Sequence, residues 1–137
     1  MTFLPIDAED EKLIEAARDA LRRAYLPHKH TVGAGVQCPS GKIYVGVNVE
    51  ACGYGPCAEP VAIGAAFSKG EGVISAVVAV TKKGRRIVVL SPCGNCRQLV
   101  FDYSPRATIL YSMDGRLHKA TVSELLPGAY RTKFDKG

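Results

Sequence analysis

Three cysteines and one glutamate have the types and the spacing of a metal-dependent hydrolytic site. Cys57 and Glu59 form a Cys-x-Glu triplet, and Cys93 and Cys96 form a Cys-x-x-Cys pair. Three thiolates around Zn²⁺ leave a fourth tetrahedral position for water, and zinc lowers the pKa of that water to about 7. Glu59 is close enough in sequence to a ligand to accept the proton of the water and pass it on. The pattern predicts a catalytic zinc site with the three cysteines as metal ligands and Glu59 as the catalytic carboxylate.

Two other uses of these cysteines stay open. A structural zinc site would need a fourth protein ligand, and the candidates for it are Cys38, Cys52 and His118. A Cys-x-x-Cys pair can also be redox-active. The glutamate at Cys-x-Glu spacing favours catalytic zinc over both. Cys38 and Cys52 are then interpreted as small buried or loop thiols.

Both parts of the pattern stand at the starts of predicted helices. One helix is predicted over residues 57–69, after a loop of glycine and proline, and another over residues 94–103. The N-terminus of a helix carries partial positive charge, which stabilises thiolates. The remaining predicted elements are a capped helix over 7–23, a short helix after Thr121, and five strands over 31–37, 43–49, 73–81, 87–90 and 108–112. Strands that alternate with helices predict an α/β sandwich.

Composition limits the classes of protein that remain. The 137 residues are 47% hydrophobic and 23% charged, which predicts one folded domain over residues 1–137. No apolar run approaches the roughly 20 residues that span a membrane. The acidic N-terminal segment is unlike a signal peptide, and the odd count of five cysteines is unlike a disulfide framework. We therefore expect a cytoplasmic protein. The net charge of +5 leaves nucleic-acid binding open at this stage.

The chain resembles the cytidine deaminase superfamily over most of its length. Within it, the similarity is to the small zinc nucleoside deaminases and their relatives that inactivate blasticidin S. The segments that carry the resemblance are, in order, Ala24-Tyr25-Leu26-Pro27, Val32-Gly33-Ala34, Asn48-Val49-Glu50, Cys57-Ala58-Glu59, Ser91-Pro92-Cys93-Gly94-Asn95-Cys96-Arg97-Gln98 and Glu124-Leu125-Leu126-Pro127. The three-cysteine centre with a glutamate that is not a ligand is the signature of zinc nucleobase deaminases.

The resemblance implies a fold, a reaction and an assembly. The fold would be a three-layer α-β-α sandwich with a mixed five-stranded sheet. The reaction would be hydrolytic deamination of a cytosine nucleoside, either cytidine, deoxycytidine or blasticidin S, to the uracil form and ammonia. Each subunit would hold one Zn²⁺ with water or hydroxide as the fourth ligand. The family also implies a homotetramer in which neighbouring subunits contribute to each pocket.

Further residues receive substrate-binding roles. Asn48 and Glu50 are two positions apart at the end of a predicted strand, so their side chains should point the same way. An amide and a carboxylate that face one pocket suit the hydroxyls of a ribose, and the resemblance gives them that role. It also implies that backbone groups near Ala58 and Ser91 hold the edges of the base. Tyr130 is a candidate to close the pocket, with an exposed tail tyrosine as the alternative.

The chain departs from typical cytidine deaminases in ways that bear on its substrate. Residue 60 is proline, where many of these enzymes have an arginine near the zinc thiolates. Arg97 is the candidate cation in its place, with an exposed helix arginine as the alternative. The short interval between Asn48 and Cys57 matches the blasticidin S deaminase type. Glu50, by contrast, is the residue of nucleoside deaminases, so the substrate stays open among cytosine nucleosides.

Two competing functions belong to other classes. One is deamination of cytosines in a polynucleotide, which the net positive charge motivates. It is disfavoured because the chain lacks an aromatic-rich basic face, and residues 82–86 are interpreted as a solvated turn. The other is a non-catalytic binding module that zinc merely stabilises. In such a module Glu59 would be dispensable.

Overall fold

The computed structural model describes residues 3–131, in which three helices and six strands alternate. In chain order, these elements are α1 (Ala8–Ala24), β1 (Val32–Gln37), β2 (Ile43–Val47), α2 (Ala58–Ser68), β3 (Ala76–Lys83), β4 (Arg86–Leu90), α3 (Gly94–Tyr103), β5 (Thr108–Met113) and β6 (Arg116–Thr121). The sequence-based domain span of 1–137 includes residues 1–2 and 132–137, which lie outside the described part. None of the three helices in residues 3–131 has the length and hydropathy of a membrane span.

The strands form one mixed sheet. Its order is β2-β1-β3-β5-β6, and β4 pairs with β3 outside this path. The β3–β5 pair is parallel and spans only Ala76 and Val77 of β3, whereas the other pairs are antiparallel. From Ala79 onward, β3 pairs with β4 instead. The two strands β4 and β5 therefore follow one another along the same side of β3.

Helices cover both faces of this sheet. Side chains alternate across a strand, so Val77 of β3 packs in the core under α2 and α3, while Val78 packs in the core under α1. The predicted three-layer α-β-α sandwich is confirmed. Gly46 of β2 allows α2 to lie directly on the sheet, because a Cβ atom there would stand 2.6 Å from the backbone nitrogen of Ala62.

Two details of the sequence-based fold were wrong. The sheet has six strands in the described residues rather than five, because β6 was missed. This strand carries few apolar residues, and its signal is the preceding Asp114-Gly115 turn, in which both residues have positive φ. The short helix predicted after Thr121 is a series of turns instead. The hydroxyl of Thr121 does accept a hydrogen bond from the backbone of Glu124 at 3.3 Å. Pro127 and Gly128 then leave too few residues for a helix.

The start of α1 is tied to the far edge of the sheet by a buried ion pair. The Asp7 carboxylate accepts a hydrogen bond from the backbone N–H of Asp10 at 3.0 Å, and Asp10 accepts one from the backbone of Asp7 at the same distance. This arrangement is a capping box. Asp10 is 3% exposed and lies 2.9 Å from Nζ of Lys119 in β6. The ion pair therefore joins the first helix to the strand that the sequence did not reveal.

Candidate active site

The three cysteines of the pattern meet at the starts of α2 and α3. Cys57 and Cys93 are the N-cap residues of these helices, and Cys96 lies in the first turn of α3. Their sulfur atoms all lie within 4.8 Å of one another. The Cys57–Cys93 separation is 4.0 Å and the Cys93–Cys96 separation is 3.5 Å. Four-coordinate zinc with Zn–S bonds of about 2.3 Å separates its sulfur ligands by about 3.8 Å. The three thiols therefore fit one zinc ion.

The centre has no fourth protein ligand in residues 3–131. No further Cys, His, Asp or Glu atom there lies within the same distance of all three sulfurs. Cys38 is buried in the core under α2 and α3, and Cys52 is exposed in a loop. His118 lies between the rings of Phe3 and Tyr111, with centroid separations of 4.6 and 5.6 Å. The donor set is that of a zinc site with one open position.

The three thiols differ in how readily they ionise. Burial is the largest influence on each pKa and acts to raise it. The pKa of Cys57 and that of Cys96 are raised, and for Cys96 the nearby Glu59 carboxylate adds to the effect of burial. For Cys93, hydrogen bonds from the backbone N–H of Cys96 and from the neighbouring thiols outweigh burial, so the pKa of Cys93 is lowered. A bound cation would be needed to hold all three as thiolates.

Glu59 lies in the first turn of α2, beside this centre. It is 4% exposed, and burial raises its pKa above the ordinary value of a glutamate. The thiol of Cys96 is its hydrogen-bonding neighbour and acts in the opposite direction. A buried carboxyl group with a raised pKa holds and releases protons closer to neutral pH, as a general acid–base catalyst requires.

One cavity joins the centre to the predicted substrate-binding residues. Its volume is about 290 Å³. The predicted residues that line it are Cys57, Cys93, Glu59, Ala58, Ser91, Asn48 and Glu50. Three residues to which the sequence analysis gave no role at the site also line it, namely Val32, Gly55 and Leu90. Val32 belongs to a segment that carried the resemblance, whereas Leu90 ends a strand and had no local signal.

The orientation of Asn48 is fixed by its neighbours. Its Oδ1 accepts hydrogen bonds from the backbone N–H groups of Thr31 and Val32 at 2.8 and 2.9 Å. Its Nδ2 donates to the Glu50 carboxylate at 3.1 Å. The ring nitrogen Nδ1 of His30 lies 2.8 Å from the backbone oxygen of Asn48. The amide oxygen is therefore occupied, and both amide N–H groups have partners, since Nδ2 also donates to the Thr31 hydroxyl at 3.4 Å. The Glu50 carboxylate keeps acceptor capacity for a ligand.

Ser91, Arg97 and Tyr130 make contacts that the sequence did not reveal. The Ser91 hydroxyl donates to the carbonyl of Ser112 at 2.7 Å. Arg97 donates to the carbonyl oxygens of Pro92 and Leu125, each at 3.0 Å. Tyr130 is 70% exposed, and its carbonyl accepts a hydrogen bond from Gln98 at 3.0 Å. Neither Arg97 nor Tyr130 lines the cavity, so their roles at the site stay predictions.

A three-layer sandwich that carries three thiols and a buried carboxylate at two helix starts has the features of a zinc-dependent deaminase. The family model described as "Cytidine and deoxycytidylate deaminase zinc-binding region" matches residues 7–112. Blasticidin-S deaminase of Bacillus cereus is 39% identical, with 95% of this chain and 98% of that protein covered. Cytidine deaminase of Halalkalibacterium halodurans is 36% identical, with 88% and 92% covered. The crystal structure of cytidine deaminase from Mycobacterium leprae superposes with a TM-score of 0.75 at 33% identity, over 88% of this chain and 99% of that one.

The chain therefore belongs to the family of cytidine and deoxycytidylate deaminases with a zinc-binding region. The resemblance that the sequence motifs predicted is confirmed. Its relatives include both a blasticidin-S deaminase and cytidine deaminases.

Proposed function

We propose that the protein is a zinc-dependent hydrolase that converts a cytosine nucleoside and water to the uracil nucleoside and ammonia. The observation that carries the proposal is a single cavity lined by thiols of the three-cysteine centre, by the buried Glu59 and by the Asn48–Glu50 pair. Family membership supports the same reaction. Cys57, Cys93 and Cys96 would hold one Zn²⁺ per chain, with water as the fourth ligand.

The chemistry divides between the metal and Glu59. When bound, zinc would make a water molecule nucleophilic at neutral pH. The Glu59 carboxylate would accept a proton from the attacking water as the water oxygen bonds to C4 of the base, and it would deliver that proton to N3. A second proton passes through the same carboxylate to the amino group, which leaves as ammonia as the C4–N4 bond breaks. Burial of Glu59 keeps bulk water away from these transfers.

The base and the sugar would be held by different walls of the cavity. The backbone near Ala58 and Ser91 is the proposed contact of the base edges. The Ser91 hydroxyl already donates to Ser112, which leaves the backbone of Ser91 for the base. A sugar hydroxyl can donate to the Glu50 carboxylate. The Asn48 amide would exchange its 3.4 Å contact with the Thr31 hydroxyl for a sugar oxygen. The cavity of about 290 Å³ is at the lower end of small-molecule sites, as a nucleoside requires.

The remaining expectations belong to the same proposal. Arg97 would support the centre by holding the carbonyl of Pro92, next to the ligand Cys93. Tyr130 would close the pocket over the substrate. The exposure of Tyr130 is compatible with a homotetramer in which neighbouring subunits complete each pocket. A cytoplasmic location stays a prediction, and the proposed reaction would serve either pyrimidine salvage or antibiotic resistance.

A substrate panel tests the reaction. Zinc-loaded protein is mixed separately with cytidine, deoxycytidine, blasticidin S and a single-stranded oligodeoxycytidine, and deamination is followed by the ultraviolet change of the base. We expect turnover of at least one free nucleoside and none of the oligonucleotide. The ranking of cytidine against blasticidin S then separates the two kinds of relative. Zinc-loaded protein that turns over none of the free nucleosides would overturn the proposal.

Replacement of the carboxylate separates an enzyme from a binding module. We expect Glu59→Gln to lower kcat by about 10³-fold or more, because the amide cannot transfer protons. Zinc content should remain at the wild-type level, since Glu59 is not among the three grouped ligands. Glu11→Gln, at an exposed position of α1, is the matched control and should keep full activity. Undiminished turnover by Glu59→Gln would contradict the catalytic role.

A further inference from the structure

Two clefts lie outside the candidate active site, next to the turn between β3 and β4. The first has a volume of about 670 Å³ and lies between α1 and this hairpin. The second has a volume of about 620 Å³ and lies between α1, β4 and the turn between β5 and β6. The clefts adjoin, because Arg18, Arg86 and Val88 line both of them. Neither shares a lining residue with the candidate active-site cavity.

The lining of both clefts is strongly basic. No carboxylate lines the first cleft, and Glu11 is the one that lines the second. The cations that line one or both clefts are Arg18, Arg22, Lys82, Lys83, Arg85, Arg86 and Arg116. A large part of the net charge of +5 is therefore concentrated on one surface. Such a concentration attracts anions.

Several of these cations have no anionic partner within residues 3–131. Arg22 is paired with Glu15 and Asp19, at 2.8 and 2.7 Å. The cations without an ion pair to a described carboxylate are Lys82, Lys83, Arg85, Arg86 and Arg116.

The fold adds to the repulsion between these cations. The register of the hairpin sets Lys83 directly opposite Arg86, and like charges opposite one another across a strand pair are destabilising. A bound anion would relieve this repulsion.

We propose that these adjoining clefts bind a small molecule that carries an oligophosphate group. Guanidinium groups donate paired hydrogen bonds to phosphate oxygens, and Arg85 and Arg86 are exposed and available for this. The volume of each cleft lies in the range of small-molecule sites. A single-stranded nucleic acid would instead need several aromatic rings on which to stack its bases. Tyr25 is the one aromatic residue in the two linings, and Nζ of Lys82 lies 4.5 Å from the centre of its ring.

Calorimetric titration of the zinc-loaded full chain with sodium tripolyphosphate, at about 0.1 M salt, tests the site. We expect saturable binding that weakens at least about tenfold in the double variant Arg85→Ser/Arg86→Ser, because two charge-assisted contacts are lost. Lys42→Ser/Lys69→Ser removes the same charge from exposed positions outside both linings and should change the affinity less than about twofold. Circular dichroism verifies that both variants fold.

The outcomes decide between a site and a diffuse charge effect. No binding of tripolyphosphate, or equal weakening in the two double variants, would overturn the proposal. Inorganic phosphate should bind more weakly than tripolyphosphate, because it is smaller and can contact fewer of the cationic side chains. A single-stranded oligodeoxythymidine is titrated in parallel to test for nucleic-acid binding. Tighter binding of this oligonucleotide than of tripolyphosphate, lost in Arg85→Ser/Arg86→Ser, would also overturn it in favour of a nucleic-acid surface.

Discussion

The helix on one face of the sheet and the helices on the other begin in different ways. At the start of α1, the Asp7 and Asp10 side chains each accept a backbone hydrogen bond, and acidic residues fill the first turn. At the starts of α2 and α3, the N-cap residues are Cys57 and Cys93, and neither side chain makes a cap hydrogen bond. The backbone of all three N-caps is extended, so the difference lies in the side chains.

This difference separates a helix start used for stability from two used for chemistry. A side-chain cap stabilises a helix by about 0.5–2 kcal/mol. At α2 and α3 that contribution is absent, and the cysteine side chains converge with Cys96 instead. The positive end of a helix favours a carboxylate at α1 and thiolates at α2 and α3 by the same electrostatics. Experiments at each helix start can therefore test whether α1 begins with a stabilising cap and whether α2 and α3 begin with metal ligands.

The largest effect is expected at Cys93. Cys93→Ala removes one of three sulfur ligands, so we expect loss of bound zinc and of detectable deamination. In the absence of zinc, Cys93→Ala and the wild type should have nearly the same Tm, because the Cys93 side chain makes no cap hydrogen bond. Metal analysis, a deamination assay and thermal melts with and without zinc measure these changes.

Cys52→Ala is the matched control for this experiment, since Cys52 is an exposed free thiol outside the ligand group. It should bind zinc as the wild type does and gain the same thermal stabilisation from the metal. If Cys93→Ala retained one zinc per chain, Cys93 would not be a required ligand, and the proposed chemical role of the α3 start would be wrong.

An intermediate effect is expected at the buried ion pair of α1. Lys119→Met leaves the carboxylate of Asp10, 3% exposed, without its cation. Removal of one partner of a buried pair costs about 3–5 kcal/mol. We expect a loss near the lower end of this range, because the backbone N–H of Asp7 still donates a hydrogen bond to the Asp10 carboxylate. Urea unfolding measures it. Lys12→Met breaks an exposed pair with Glu9 and should cost less than about 1 kcal/mol. Equal losses of unfolding free energy in the two variants would show that the buried Asp10–Lys119 pair contributes no more than an exposed pair.

The smallest effect is expected at the Asp7 cap, and it depends on pH. The hydrogen bond from the backbone of Asp10 holds the pKa of Asp7 below its ordinary value of 3.8. The ionised cap therefore contributes its full stability well above the ordinary pKa of 3.8, and this contribution is lost as pH falls through the lowered pKa. We expect Asp7→Ala to lower the Tm by a few degrees between pH 5 and 8, with a smaller difference below about pH 4.

Glu11→Ala is the control for Asp7→Ala, because Glu11 is exposed in the same first turn and caps nothing. Its effect on Tm should be smaller at every pH. A Tm difference between wild type and Asp7→Ala that stays constant down to pH 2 would contradict a role for the charged cap.

Local signals explain which elements were predictable. The helix over 7–23 was predicted because its cap, acidic first turn and apolar spacing all lie within a few residues. The missed strand β6 has the opposite character. It lies at an edge of the sheet, and only Ala120 in it is buried, so its pattern carries little periodicity. The helix predicted after Thr121 shows the limit of a capping signal, since one cap bond forms there without a helix behind it.

The active site also combines contacts between residues close in sequence with contacts between residues far apart in sequence. Asn48 and Glu50 lie two residues apart just after the end of β2, and their hydrogen bond is a short-range contact. The backbone groups of Thr31 and Val32 that fix the amide of Asn48 lie at the start of β1, and no sequence pattern predicted these contacts. Arg97 was predicted as a cation for the thiolates, but its guanidinium donates to backbone carbonyl oxygens that only the folded chain brings near.

The donor atoms of this protein could be identified from residue types and spacing alone: three thiols, a carboxylate two residues after one of them, and an amide–carboxylate pair. Residue type decides which metal and which proton transfers are chemically available, and that information is local. The folded chain then placed the cysteines of two helix starts within 4.8 Å of one another and joined them in one cavity to Asn48 and Glu50. It also gathered the cations of α1, the β3–β4 turn and β6 onto one surface. These are relations between segments far apart in the chain, and packing on the common sheet establishes them.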